Sequence, residues 1–203
     1  MTEKDTRGIL EIDPNVELKD YSGPFKPDLR FTDFSREQLA RCYLMACEYF
    51  YGALEAWANH VVEKFGLEAM IEAQDDVWRK RMVGPAKEII TRWMNIQGND
   101  IETMMKAVQM DSVWGPVRFD VTFDMPSKDQ GILIANRCPV VEQFEELGLP
   151  DNILKDFCKA CYETVEVNAK NYNPDIVTTC LAMPPRKSKD DICCKIEFSY
   201  KSK

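Results

Sequence analysis

The segment VRFDVTFDM, residues 117–125, decides the fold because its apolar residues alternate with polar ones. This alternation predicts a strand with one face in the core and the other in water. The turn PSKDQG and the run GILIANRC follow, and together they predict a β-hairpin. Helical patterns precede the hairpin, so the spacing of apolar residues changes here from about 3.6 to 2.

Upstream of the hairpin the sequence predicts four successive helices. They cover residues 35–65, 67–83, 86–97 and about 100–110. Ser35 and Gln38 have the spacing of a capping box at the start of the first helix. Two apolar stripes run along that helix, which predicts that it is largely buried. Gly84-Pro85 is predicted to end the second helix.

Downstream, Cys138 and Pro139 fit the N-cap and N1 positions of a short helix. A longer helix over residues 151–172 and the strands DIVTTCLAM and ICCKIEFSY complete the pattern. The order β-β-α-α-β-β predicts an α+β fold, with the helical lobe packed on an antiparallel sheet of about four strands. We divide the chain into an extended arm (1–33), a helical lobe (34–112) and a cysteine-rich α+β lobe (113–203), the last two forming one compact unit.

Composition narrows the class of partner. The 203 residues carry a net charge of −8 with a pI near 4.9, which argues against nucleic acid and anionic membrane surfaces. No apolar run approaches the ~20 residues that span a bilayer, and the acidic N-terminus lacks the apolar core of a signal peptide. We therefore expect a cytoplasmic protein with reduced thiols. A small molecule or a protein remains as partner, and self-association stays open.

Six of the eight cysteines fall between residues 131 and 200. They are Cys138, Cys158, Cys161, Cys180, Cys193 and Cys194. Cys158 and Cys161 are neighbours on one helical face, which we expect to look toward the sheet. Alternation along the last strand predicts that Cys194 points to the core and Cys193 to solvent.

Cys138 is the candidate nucleophile. At a helix N-cap its sulfur faces free N–H groups and the positive end of the helix dipole, which predicts a lowered pKa. Together with Cys158, Cys161 and Cys194 it forms a candidate ligand set for zinc or an iron–sulfur cluster. The alternative is that each cysteine only fills space in the core, which is a common role for free cysteine.

Four runs in the C-terminal half are distinctive: NRCPVVEQFEELGLP, CKAC, NYNPDIVTTC and PPRKSKDDICCKIEF. By these runs the chain resembles an uncharacterised family of small prokaryotic proteins common in anaerobes, which is itself similar to the L-2-amino-thiazoline-4-carboxylic acid hydrolase family. The resemblance implies a shared fold and pocket, with Cys138, Cys158 and Cys194 among the matching positions.

Two classes of function follow from these observations. The first is a metal- or thiol-dependent, hydrolase-like enzyme whose pocket, between the helical lobe and the sheet, takes a cyclic or sulfur-containing substrate. The second is a non-catalytic accessory protein that binds a ligand, a metal or an iron–sulfur cluster. A redox sensor using Cys158 and Cys161 is a variant of the second class, and whether the protein is an enzyme stays open on sequence grounds.

Overall fold

The computed structural model describes residues 17–111 and 119–201 of the chain. Its α-helices are α1 (Arg36–Phe65), α2 (Leu67–Asp75), α3 (Val83–Met94), α4 (Ile101–Met110), α5 (Pro139–Glu146) and α6 (Asp151–Tyr172). A π-helix, Asp76–Met82, joins α2 to α3. The strands are β1 (Asp120–Ser127), β2 (Gln130–Arg137), β3 (Ile176–Ala182) and β4 (Cys194–Tyr200).

The four strands form one sheet in the order β1-β2-β4-β3, and every neighbouring pair is antiparallel. This arrangement confirms the predicted α+β class, the antiparallel sheet and the order of its elements. The hairpin is also confirmed, with Lys128 and Asp129 as its turn. Residues 117 and 118 of the predicted first strand lie outside the described residues.

The chain forms two compact units that divide between Gly52 and Ala53. In the first unit, the chain from residue 17 forms a loop that closes just before α1, where Leu18 and Phe34 run parallel. Leu18 N donates to Asp33 O at 2.7 Å, and Ser35 N donates to Leu18 O at 2.8 Å. Gln38 N donates to Ser35 Oγ at 3.2 Å, which confirms the predicted helix start. The first sixteen residues of the predicted arm lie outside the described residues, and the three proposed segments stay a prediction.

Helix α1 is far less buried than its two apolar stripes predicted. Of its 30 residues only Cys47 and Tyr51 are buried. Large apolar side chains such as Met45 and Tyr49 are 62% and 81% exposed. The prediction of a largely buried helix is therefore wrong for the single chain. Although α1 has 30 residues, no helix within residues 17–111 and 119–201 is long and apolar enough to cross a membrane.

The break predicted at Gly84-Pro85 is also wrong, because the chain stays helical from Leu67 to Met94. Proline lacks an N–H, and in a regular α-helix its ring clashes with the carbonyl four residues earlier. Here the wider π turn precedes Pro85, with Val83 N donating to Trp78 O five residues back. The π turn gives the proline ring room, so the helix passes through the pair.

Gly84→Ala is expected to stabilise the protein by about 0.5–1 kcal/mol, because glycine in a helix interior loses more backbone freedom than alanine. A Cβ built at Gly84 meets no atom within 4 Å. Urea unfolding midpoints would measure the change. Gly66→Ala is the control: Gly66 has φ +88°, so alanine there should destabilise. A loss of stability in Gly84→Ala would contradict a continuous helix.

The second unit holds its main core between the sheet and helices α4 and α6. Its fully buried members include Ile101, Met104, Ile176 and Phe198. A Cβ on Gly131 would come within 2.9 Å of Ile101 Cγ2, so glycine on β2 lets α4 pack closely against the sheet. A second, smaller core lies under α5 and the start of α6, and it is there that the cysteines gather.

Candidate thiol site

Five thiols from three chain segments lie in and around the smaller core. We call them the thiol cluster: Cys138, Cys158, Cys161, Cys193 and Cys194. Buried Ala135, Val141, Phe144 and Leu154 form the apolar surroundings, with Cys193 among them, and Cys138, Cys158 and Cys194 pack against this group. All five are free thiols. Cysteines distant in the chain thus share one apolar core, but the described residues do not form the predicted cysteine-lined site.

Cys138 is the N-cap of α5, as predicted. The backbone N–H groups of Val140 and Val141 lower the pKa of its thiol, although no side-chain cap hydrogen bond forms. Burial has the larger, opposite effect and raises the pKa of Cys138 to about 11. The predicted lowering is thus overcome by desolvation, which an N-cap pattern does not encode. The catalytic role of Cys138 stays a prediction.

Cys138 is expected to react with a thiol alkylator about 100-fold more slowly at pH 7 in the folded protein than in the urea-unfolded chain. A raised pKa leaves less thiolate at neutral pH, and the folded-state rate should climb about tenfold per pH unit toward pH 11. Mass spectrometry of Cys138 peptides after timed alkylation measures both rates. Equal rates in the two states would show that the thiol is not desolvated.

Cys158 is the centre of the cluster. Burial raises the pKa of its thiol first, and the other four thiols of the cluster raise it further, beginning with Cys161. Cys161 is exposed, although Leu154 and Val165 on the same helical face are buried. Burial nevertheless raises the pKa of the Cys161 thiol to about 12, and this thiol interacts with Cys138. The residue is therefore open to solvent while its sulfur lies against the cluster, and the prediction that both thiols face the sheet stays a prediction.

Cys193 is the functional candidate that the sequence pattern missed. It is 1% exposed rather than solvent-facing, because β4 begins only at Cys194 and the alternation does not extend back to Cys193. Its N–H donates to Ala135 O at 2.8 Å, which turns the side chain into the smaller core. Cys194 is partly buried, and burial raises the pKa of its thiol to about 12.

Arg186 holds the loop PPRKSKDD beside the cluster. Its side chain is 5% exposed and donates to Glu145 through Nε at 3.0 Å and Nη2 at 2.5 Å. Nη1 donates to Lys189 O at 2.9 Å. The guanidinium lowers the pKa of Cys193 against the larger effect of burial, which raises it. No sequence pattern marked Arg186, since its partner lies 41 residues away.

The metal site predicted at Cys138, Cys158, Cys161 and Cys194 stays a prediction. Within the described part of the chain, no three or more His, Cys, Asp or Glu side chains stand where they could hold a metal ion together. Zinc at structural sites and iron–sulfur clusters commonly take four protein ligands. As the side chains stand, the cluster is thus a group of neighbouring thiols and not a formed four-ligand centre.

A hollow does lie between helices and sheet, but no cysteine lines it. Its walls are Met104, Val108, Leu133, Val165, Asn168 and Phe198, and its empty volume is about 230 Å³, part of it open to solvent. The volume that a guest molecule could occupy is only about 10 Å³, roughly the room for one water molecule. This hollow is therefore a packing gap in the main core, separate from the thiol cluster.

Fold and cluster together define an α+β protein with a thiol-rich second core under a short, proline-started helix. A family model described as "Family of unknown function (DUF6125)" matches residues 32–200, and the chain belongs to this family. No curated protein and no solved structure matches the chain. The resemblance to the thiazoline hydrolase family accordingly stays a prediction.

Proposed function

We propose that this protein binds a thiophilic metal ion of low coordination number, Cu(I) being the best fit, through Cys158 and Cys161. This is the metal-binding form of the non-catalytic accessory role. The observation that carries it is the packing of Cys158 beside Cys138, Cys193 and Cys194 in the smaller core, with free Cys161 three residues further along α6.

Buried thiols at this density favour a soft cation over a nucleophilic role. With their pKa values raised, Cys138 and Cys194 are neutral thiols near pH 7 and therefore weak nucleophiles. A cation binding at Cys158 compensates the repulsion that otherwise opposes thiolate there. Each bound ion displaces two protons, one from each ligating thiol, so affinity rises with pH.

The coordination number follows from the arrangement of donors. No group of three or more donors is in place among residues 17–111 and 119–201. Zinc needs more ligands than two, whereas Cu(I) forms stable complexes with two thiolates and is selected by soft sulfur donors. Cys158 and Cys161 stand three residues apart on α6, close enough to share one ion.

Access to this pair is provided by Cys161. It is the exposed member of the cluster, whereas Cys193 is closed off from solvent. An incoming ion can bind Cys161 first and then reach Cys158. Cys138 and Cys194 supply a soft, apolar wall behind them.

The test is anaerobic competition for Cu(I) between the reduced protein and a chromophoric Cu(I) chelator. We expect one ion per chain, two protons released, and at least about 100-fold weaker binding in Cys158→Ser and Cys161→Ser, since serine oxygen is a poor ligand for a soft ion. Zn(II) offered under the same conditions should bind much more weakly.

Cys180→Ser is the matched control, because Cys180 is a partly buried free cysteine on β3 that does not interact with Cys158. It should keep wild-type affinity. Absence of Cu(I) binding, or equal loss in all three variants, would overturn the proposal. Circular dichroism of each variant separates loss of ligand from loss of fold.

A further inference from the structure

Helix α1 carries an apolar face that the first unit leaves in solvent. Each member lies three or four residues from another member, and we call the group the exposed apolar face: Leu39, Cys42, Met45, Ala46, Tyr49 and Phe50. Cys47 and Tyr51, the buried residues of α1, point to the other side. The helix therefore has two apolar faces, and residues 17–111 and 119–201 cover only one of them.

We infer that a second copy of this chain covers the exposed apolar face, forming a twofold-symmetric dimer through antiparallel α1 helices. This inference is independent of the metal site.

The exposed area is close to what half of a dimer interface requires. Leu39 and Phe50 are each 37% exposed, Met45 is 62% and Tyr49 is 81% exposed. At ~200 Å² for a fully exposed large apolar side chain, these four offer on the order of 400 Å². A standard interface buries about 800 Å² per partner, a little over half of it apolar. One face of α1 thus supplies most of the apolar share.

The face is complementary to itself. It carries large side chains beside small ones, with Cys42 and Ala46 between the bulky residues. When two copies cross antiparallel near Met45, Leu39 faces Phe50 of the second copy. Tyr49 then comes over the space that the small Cys42 leaves. Interlocking of this kind is what a twofold interface requires, because both partners present the same surface.

Charge along one edge of the face fixes the same register. Arg41 and Glu48 flank the face on the same side and are seven residues apart. In the antiparallel arrangement Arg41 lies opposite Glu48 of the second copy, and the reverse pair forms by symmetry. Arg41 now pairs with Glu37 at 2.6 Å in an exposed contact, which costs little to exchange. In a parallel pairing this edge would face the opposite edge of the second helix, and the Arg41–Glu48 pairs would not form.

Sedimentation of the full chain over a range of concentrations tests the inference. We expect a dimer, and Tyr49→Glu should raise its dissociation constant at least about 100-fold, as loss of a central aromatic does at interfaces. Leu147→Glu is the control, since Leu147 is 65% exposed in the second unit, and it should leave the dimer intact. A wild-type chain that stays monomeric at every concentration would overturn the inference.

Charge exchange tests the antiparallel register separately. Arg41→Glu and Glu48→Arg should each weaken the dimer, by about 3- to 10-fold for rim charges of this kind. The double variant should recover wild-type affinity because opposite charges again face each other. Failure of the double variant to recover would exclude this register. Equal weakening by Tyr49→Glu and Leu147→Glu would overturn the assignment of the interface to the exposed apolar face.

Discussion

Replacing Arg186 by methionine is expected to lower the free energy of unfolding by about 3–5 kcal/mol, the usual cost of removing one partner from a buried ion pair. The Arg186 side chain is 5% exposed and Glu145 is 21% exposed. The variant leaves the Glu145 carboxylate without its two guanidinium bonds and frees Lys189 O and Asp191 O. Urea unfolding followed by circular dichroism measures the loss.

A second arginine–glutamate pair gives the matched control, because its glutamate, Glu142, lies on α5 like Glu145. Arg137 Nε donates to both carboxylate oxygens of Glu142 at 2.8 and 2.9 Å, but the arginine side chain is 64% exposed. Arg137→Met should cost less than about 1 kcal/mol, because solvent screens the pair and the freed carboxylate returns to water. Equal losses in Arg137→Met and Arg186→Met would mean that burial does not set the strength of the Arg186 pair.

The pH dependence gives an independent readout of the same pair. Hydrogen bonding from Arg186 lowers the pKa of Glu145 below its ordinary value of 4.5. A lowered folded-state pKa contributes stability that is present above the unfolded pKa and is lost as pH falls through the folded value. We therefore expect wild type to lose stability below pH 4.5 more steeply than Arg186→Met does. If wild type and Arg186→Met lost stability equally steeply below pH 4.5, Arg186 would not be the cause of the lowered pKa of Glu145.

Phe198→Ala is expected to be equally damaging, at about 3–5 kcal/mol, because it removes a large side chain from a close-packed core. Phe198 is 1% exposed and lies in the main core with Ile101 and Leu133. It also lines the hollow beside Met104 and Leu133, so the deletion would add to a gap that is already there. The unfolding midpoint should fall while the urea dependence keeps its slope.

Two further variants separate the cavity effect from the loss of an aromatic ring. Phe198→Leu keeps most of the volume and should cost clearly less than alanine. Phe65→Ala removes a ring that is 72% exposed and should change stability by no more than about 0.5 kcal/mol. If Phe198→Ala cost less than about 1 kcal/mol, the sheet and α4 would have to repack around the gap.

Local patterns predicted the elements of this fold well. Capping by Ser35, the N-cap position of Cys138 and the alternation before the hairpin each placed an element correctly. Each of these signals depends on hydrogen bonds or side-chain directions within a few residues, which the sequence states directly. The π turn was missed, since Gly84-Pro85 looks like a terminator unless the register of the preceding turn is known.

The sequence by itself determined the α+β class, the order of the elements and the density of thiols near the C-terminus. Tertiary structure alone decided that Cys193 is buried, that the pKa of Cys138 is raised, and that Arg186 lies beside Cys193. The physical reason is that desolvation and ion pairing depend on atoms brought together from distant parts of the chain. A helix pattern fixes which side chains share a face, but only the packed elements decide which face meets protein and which meets water.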